Sequence, residues 1–240
     1  MAESEARHFA RAMGEIVSRV PEIEGDSPAH NIVRDAASSM RSQVTRLASR
    51  TQALQGVDEN RDPTQPEAAH AKAVAERARE LERDAEKAVD EANKAHRQAL
   101  LQVHEILDSE LVPNEYASEM RAHFRSLDSK AQMDLFQRLL KGRRSSDVAA
   151  ILNAPAEVVG LEPEVHGRLR EQYYNAVHPE AVAARDALSQ SFDTTLTAAR
   201  TAKRAKMSLT DPQKLRDIER REQMSAQARQ TFESAGTDAA

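Results

Sequence analysis

The feature that most constrains this chain is a helical pattern running from Pro66 to about Leu111 with no glycine or proline inside it. At 1.5 Å per residue a helix of roughly 45 residues is about 67 Å long, more than an ordinary globular core requires. Its apolar positions repeat as a heptad seam through Val74, Ala78, Leu81, Ala85, Ala88 and Ala92, then shift by one position to His96, Leu100, Val103 and Leu107. A slip of this kind marks a local change in supercoiling. On the outer faces Glu76 precedes Arg79, Glu80 precedes Arg83, Asp84 precedes Lys87 and Glu91 precedes Lys94, all at i,i+3. Such pairs are worth about 0.2–0.5 kcal/mol each. Burying a side chain of the stripe Leu100, Val103, Ile106, Leu107 and Leu111 is worth roughly 1.5–3 kcal/mol. Whatever covers that stripe therefore decides the architecture.

A second seam precedes it. From about Ser27 to Gln55, Val33, Ala37, Met40, Val44, Leu47, Thr51 and Leu54 fall at alternating steps of four and three. Gly56 reads as a C-terminal stop, and Val57 to Pro66, containing Asp62-Pro63, reads as a loop. A connection of this length predicts an antiparallel hairpin over residues 26–111 in which the longer helix overhangs. Ahead of it, residues 1–25 form an N-terminal helix or arm, with Phe9, Met13, Ile16 and Val20 on one face and Pro21 and Gly25 ending it.

Residues 112–179 carry larger side chains in shorter patterns, the signature of a compact helical head. Asn114 is positioned to cap a helix bearing Tyr116, Met120 and Phe124, and Asp128 the next, bearing Met133, Phe136, Leu139 and Leu140 up to Gly142. Ser146 is the expected cap of Val148 to Leu152, which stops before Pro155, and Pro163 suits the first turn of a helix bearing Leu169 and Tyr173. Residues 180–240 return to long helices. Leu188, Phe192, Leu196 and Ala199 define one face, and Thr210-Asp211-Pro212 starts a highly charged last helix through Leu215, Ile218 and Phe232. Its sparse apolar face implies peripheral packing or order acquired on assembly, with a frayed tail from Gly236 to Ala240.

Together these patterns predict an all-α, elongated fold of long antiparallel coiled-coil-like helices with a small helical head. Composition agrees: roughly one residue in six is Ala, Trp is absent, and only five Phe and three Tyr occur among 240 residues. No strand-length alternation of β-branched residues is present. The absence of cysteine excludes disulfides, thiolate metal sites and cysteine nucleophiles. A net charge of −5 of mixed sign gives no global attraction to nucleic acid or to an anionic membrane. Neither a secretory leader nor a transmembrane span is evident, so a soluble protein, cytoplasmic or virion-associated, is expected.

Catalytic signatures are missing. His104 precedes Glu105 but has no second histidine four residues on, and His96 and His104 lie two turns apart, too far to share one ion. Asp90 and Glu91 read as a solvated helix face rather than an acid–base pair. With no phosphate loop, nucleophile elbow or dinucleotide fingerprint, the expectation is a non-enzymatic protein with no cofactor and no metal. Two basic clusters are candidate phosphate contacts: Lys141, Arg143 and Arg144 beside Gly142, and Arg200, Lys203, Arg204 and Lys206 in a run without acids. Both also suit the negative ends of helix dipoles, and neither has the aromatic neighbours that stack single-stranded bases.

The stretch Ala149-Ala150-Ile151-Leu152-Asn153-Ala154-Pro155-Ala156-Glu157-Val158-Val159-Gly160-Leu161, after a Leu-rich helix ending in Lys141-Gly142, resembles segments in small helical proteins encoded by tailed phages and prophages. The resemblance covers about a tenth of the chain and carries no functional residues across. It implies a virion-associated or assembly role. The resulting expectation is a structural or scaffolding protein that self-associates or binds partner helices through Val33, Met40, Val44, Leu47, Leu54, Val74, Leu81, Leu100, Val103 and Leu107. The alternative is a nucleic-acid-associated protein acting through Arg200 to Lys206.

Overall fold

The structure is a computed structural model that describes the backbone of residues 5–60 and 62–237 and the side chains of 8–60 and 62–230. Among the described residues the regular elements are all helices, in the order α1 (Glu5–Val17), α2 (Pro28–Glu59), α3 (Glu67–Leu107), α4 (Ala117–Ser126), α5 (Ser129–Lys141), α6 (Ser145–Leu152), α7 (Ala156–Val159), α8 (Pro163–Val177), α9 (Pro179–Leu209) and α10 (Pro212–Thr237). The chain is all-α. It divides into two compact units, one of Met1–Val20, Ser39–Asn93 and Ser191–Ala240, the other of Pro21–Ser38 and Lys94–Gln190. The division does not follow consecutive segments, because α2, α3 and α9 each give one stretch to each unit.

In the first unit one core gathers Met13, Ile16 and Val20, Val44, Leu47 and Leu54 of α2, Val74, Ala78, Leu81, Ala85 and Ala88 of α3, and Ala198, Ala199 and Ala202 of α9. The N-terminal helix is thus packed into this core rather than extended as an arm. The α2–α3 pair is antiparallel: Arg46 reaches Asp84 at 2.7 Å, Arg50 reaches Glu80 at 3.4 Å, and Gln43 bonds Glu91. Of the local ion pairs expected along α3, those of Glu80, Asp84 and Glu91 are replaced by other partners. Glu80 and Asp84 turn toward α2, and within α3 Glu80 takes Arg77 at 3.0 Å, not Arg83. The reason is geometric, since acids flanking a buried seam lie within reach of the neighbouring helix.

Gly56 does not stop α2, which continues to Glu59. The Gly56 carbonyl accepts both the backbone and the side-chain N–H of Asn60 (3.1 and 2.9 Å), so the asparagine closes the helix. At the far end α3 stops at Leu107, four residues before Leu111. The α9 face also differs from expectation. Of the expected face Leu188 and Ala199 are buried and Phe192 and Leu196 only half-buried, and the buried row of the helix also takes in Ser191, Thr194, Thr195, Ala198, Ala202 and Ala205. Thr195 and Thr51, both buried, donate to the carbonyls of Ser191 and Leu47 at 2.9 and 2.8 Å, which satisfies their hydroxyls inside the core.

In the second unit α6 is buried on every face, from Asp147 to Leu152, and packs against α4, α5 and α8. An apolar helix without a polar side can only sit at a centre. Asp128 caps α5 by accepting from the Ala131 N–H at 2.8 Å, and Pro163 starts α8. Two expected caps fall elsewhere. Asn114 accepts from the Tyr116 N–H at 3.1 Å, forming a turn ahead of α4, and Ser146 lies inside α6, which begins at Ser145 behind Arg144. The α5 terminus holds a further difference: Gly142 has an ordinary φ of −77°, and Arg143 takes the left-handed conformation at φ 51°. The Arg144 N–H returns to the Leu139 carbonyl at 3.0 Å and that of Arg143 to Leu140 at 3.1 Å, a Schellman closure with arginine where glycine is usual.

Candidate functional site

The seam residues come first, since the sequence marks them as contact surface. Val33, Met40, Val44, Leu47, Leu54, Val74, Leu81, Val103 and Leu107 are all buried, none more than 4% exposed. The cover is supplied by this chain itself. Leu100 is half-buried, its neighbour Ala99 taking the inward position, and Leu101 points outward. The overhanging stripe is therefore not an open surface: Val103, Leu107 and Leu111 are all buried.

The basic run on α9 is also partly committed. Lys203 bonds Glu86 at 3.2 Å and Lys206 bonds Glu82 at 2.5 Å, tying α9 antiparallel to α3, while Arg200 and Arg204 are exposed. Lys141, Arg143 and Arg144, by contrast, converge on one concave space of about 250 Å³ bounded by α5, the α5–α6 turn and α8. Sequence spacing brings these cations together. The α8 residues behind them, Tyr173 and Tyr174, required the fold to be found.

Tyr174 is buried and anchors a polar network. Its hydroxyl donates to Asp108 at 2.6 Å, Arg170 stands 3.5 Å from the same carboxylate, and the other arm of Arg170 donates to the Leu152 carbonyl at 2.5 Å. Asn153 donates to the Leu111 carbonyl at 2.8 Å. Burial, followed by the hydrogen bond to Asp108, pushes the Tyr174 phenol up to about 12. These bonds fix the segment after α3 onto α6 and α8, and they account for an ionisable cluster that position in sequence does not reveal. Among the described residues no three His, Asp or Glu side chains are grouped to hold a metal ion, and no helix is long and apolar enough to cross a membrane.

Among the described residues the longest uncovered stretch lies on α10. Leu215 and Ile218 are half-buried, and Lys214 bonds Glu67 at 2.5 Å while Lys72 bonds Glu222. Beyond Ile218 every residue from Glu219 to Gln230 is exposed, Met224 among them. The Phe232 side chain and the tail from Asp238 lie outside the described residues. Comparison with protein-family models, curated proteins and solved structures finds no match for the chain.

Proposed function

We propose that this chain is a non-enzymatic assembly protein, of scaffolding or virion-accessory type, and that α10 is the element through which it associates. The observation that carries this reading is the run Glu219–Gln230, helical yet exposed at every position. A helix without a packed face relies on intrinsic propensity and i,i+4 pairs, which leave short isolated helices marginal in water. A partner helix supplies the missing packing. The opposite charges along α10, with Arg216, Arg220, Arg221 and Arg229 among Asp217, Glu219 and Glu222, make a second copy of the chain an acceptable neighbour. The short resemblance of residues 149–161 to phage-encoded helical proteins points the same way. A phosphate-backbone role for residues 200–206 draws less support, since Lys203 and Lys206 already hold α9 to α3.

Sedimentation velocity of the 26.6 kDa chain tests the proposal. Species larger than a monomer are expected at micromolar concentration, reverting to monomer in a chain ending at Arg220, whose core residues are untouched. A full chain that stays monomeric at every concentration would refute self-association through α10.

A further inference from the structure

The concave space between α5, α6 and α8 contains a feature that packing does not explain. Tyr173 lines it, is 1% exposed, and its buried hydroxyl, though close to the Ser145 side chain, makes no hydrogen bond of ordinary geometry. Native structures seldom leave a buried hydroxyl unpaired, because the hydration it gives up is then not replaced. Burial raises the phenol above its ordinary range, the hydrogen-bonding reach of the Ser145 side chain opposes the rise, and the Glu110 and Asp108 carboxylates add to it. Ser145 and Glu110, which act on this hydroxyl, themselves line the space.

The surrounding groups are mostly donors. The N–H groups of Asp147 and Val148 both return to the Arg144 carbonyl, so those of Ser145 and Ser146, one step earlier, are the orphan donors of the α6 N-terminus. Arg144, at the cap, offers them no side-chain acceptor. Of the acids, Asp147 is taken by Arg144 at 2.5 Å and by Asn114 at 3.4 Å, which leaves Glu110 as the one carboxylate lining the space with Lys141 and Arg143. A helix N-terminus, two cations and a buried phenol form a set suited to an oxyanion. At about 250 Å³ the space is smaller than the roughly 300–1,000 Å³ of sites for larger organic ligands.

We propose that this pocket binds a phosphate group, either inorganic phosphate or a small phosphate monoester, with the Tyr173 hydroxyl donating to one oxygen, the α6 N-terminus to a second, and Lys141 and Arg143 closing over it. The site is independent of α10 and of the association proposed above.

The test is titration of the full-length chain with inorganic phosphate and, separately, phenyl phosphate, at constant ionic strength with chloride as control, followed by amide chemical shifts. Saturable shifts at Ser145 and Ser146 are expected. Equal affinity for both probes identifies the phosphate group as the ligand, and tighter phenyl phosphate adds the apolar wall of Val148 and Ala176; either result supports the site. Tyr173→Phe should lose at least about tenfold in affinity, the scale of a hydrogen bond to a charged group, while matching or exceeding the parent in thermal stability. Lys141→Gln, at an exposed position, should lose a similar factor and keeps the test decisive if the first variant does not fold. No saturable response by about 20 mM phosphate, or unchanged affinity in Lys141→Gln, overturns the proposal.

Discussion

Replacing Leu81 with alanine separates a seam that holds one chain together from a seam that holds two. Leu81 is 1% exposed in the core of the first unit, among Val44, Leu47, Val74, Ala78 and Ala85. Truncation removes roughly three methylene-sized groups, or about 2.4 kcal/mol at about 0.8 kcal/mol each. A cavity term adds to this, because many of the neighbours are alanines with no side-chain torsion to rotate into the hole. The total falls at about 3–4 kcal/mol, inside the range of about 2–5 measured for such changes. Urea denaturation followed by circular dichroism reads it, with Leu101→Ala as control. Leu101 is 67% exposed, and its truncation should change stability by no more than about 0.5 kcal/mol. Below the transition, sedimentation of Leu81→Ala should match that of the parent. A cost under about 1 kcal/mol, or folded Leu81→Ala subunits that have dissociated from one another, would show that the seam joins separate chains.

Arg143 at φ 51° carries strain of about 1–2 kcal/mol that glycine would not, offset by the roughly 0.5–1 kcal/mol of extra entropy glycine loses on folding. Arg143→Gly should therefore raise stability by about 0.5–1 kcal/mol in thermal unfolding, and a loss would show that the side chain stabilises the turn. The Tyr174 phenol, raised from its ordinary value near 10 to about 12 in the folded chain, favours folding fully below pH 10. That contribution drains away as pH rises from about 10 to 12. Alkaline unfolding should set in over this window, phenolate absorbance should lag behind that of an ordinary tyrosine, and Tyr174→Phe should be less stable by about 1.5–3 kcal/mol at neutral pH.

The hairpin seam is legible because its buried positions are also its apolar ones: Val44, Leu47, Leu54, Val74 and Leu81 announce the face by size and spacing. On α9 the same reasoning is right at Leu188 and Ala199 and wrong at the two larger residues between them. Hydrophobicity favours Phe192 and Leu196, but the inward row adds Ser191, Thr195, Ala198, Ala202 and Ala205 to Leu188 and Ala199. Helices that approach closely admit only small side chains, and a serine or threonine is accepted when its hydroxyl bonds the preceding turn. Gly142 shows a related limit. Glycine marked the end of α5 correctly, yet the left-handed residue is its neighbour, because a Schellman closure is set by where the two returning N–H groups reach carbonyls. The pocket was half visible. Lys141, Arg143 and Arg144 stand together in sequence, but Tyr173 reaches them only after α8 folds against α5 and α6.

The closure of the seam within the chain changes which residues carry function. An apolar stripe on a long helix looks like a binding surface until the same chain fills it, after which mutating it reports on folding. What then distinguishes a functional position is a local cost that the fold tolerates without apparent return. Among the described residues such costs include a helix exposed along Glu219–Gln230, an arginine in a glycine conformation at the pocket rim, and a buried tyrosine hydroxyl without a hydrogen bond of ordinary geometry. Arg143 and Tyr173 line one pocket. Backbone strain and an unsatisfied donor side by side argue that the pocket is shaped for something that completes its hydrogen bonding, and the gain in stability expected of Arg143→Gly should coincide with weaker phosphate binding.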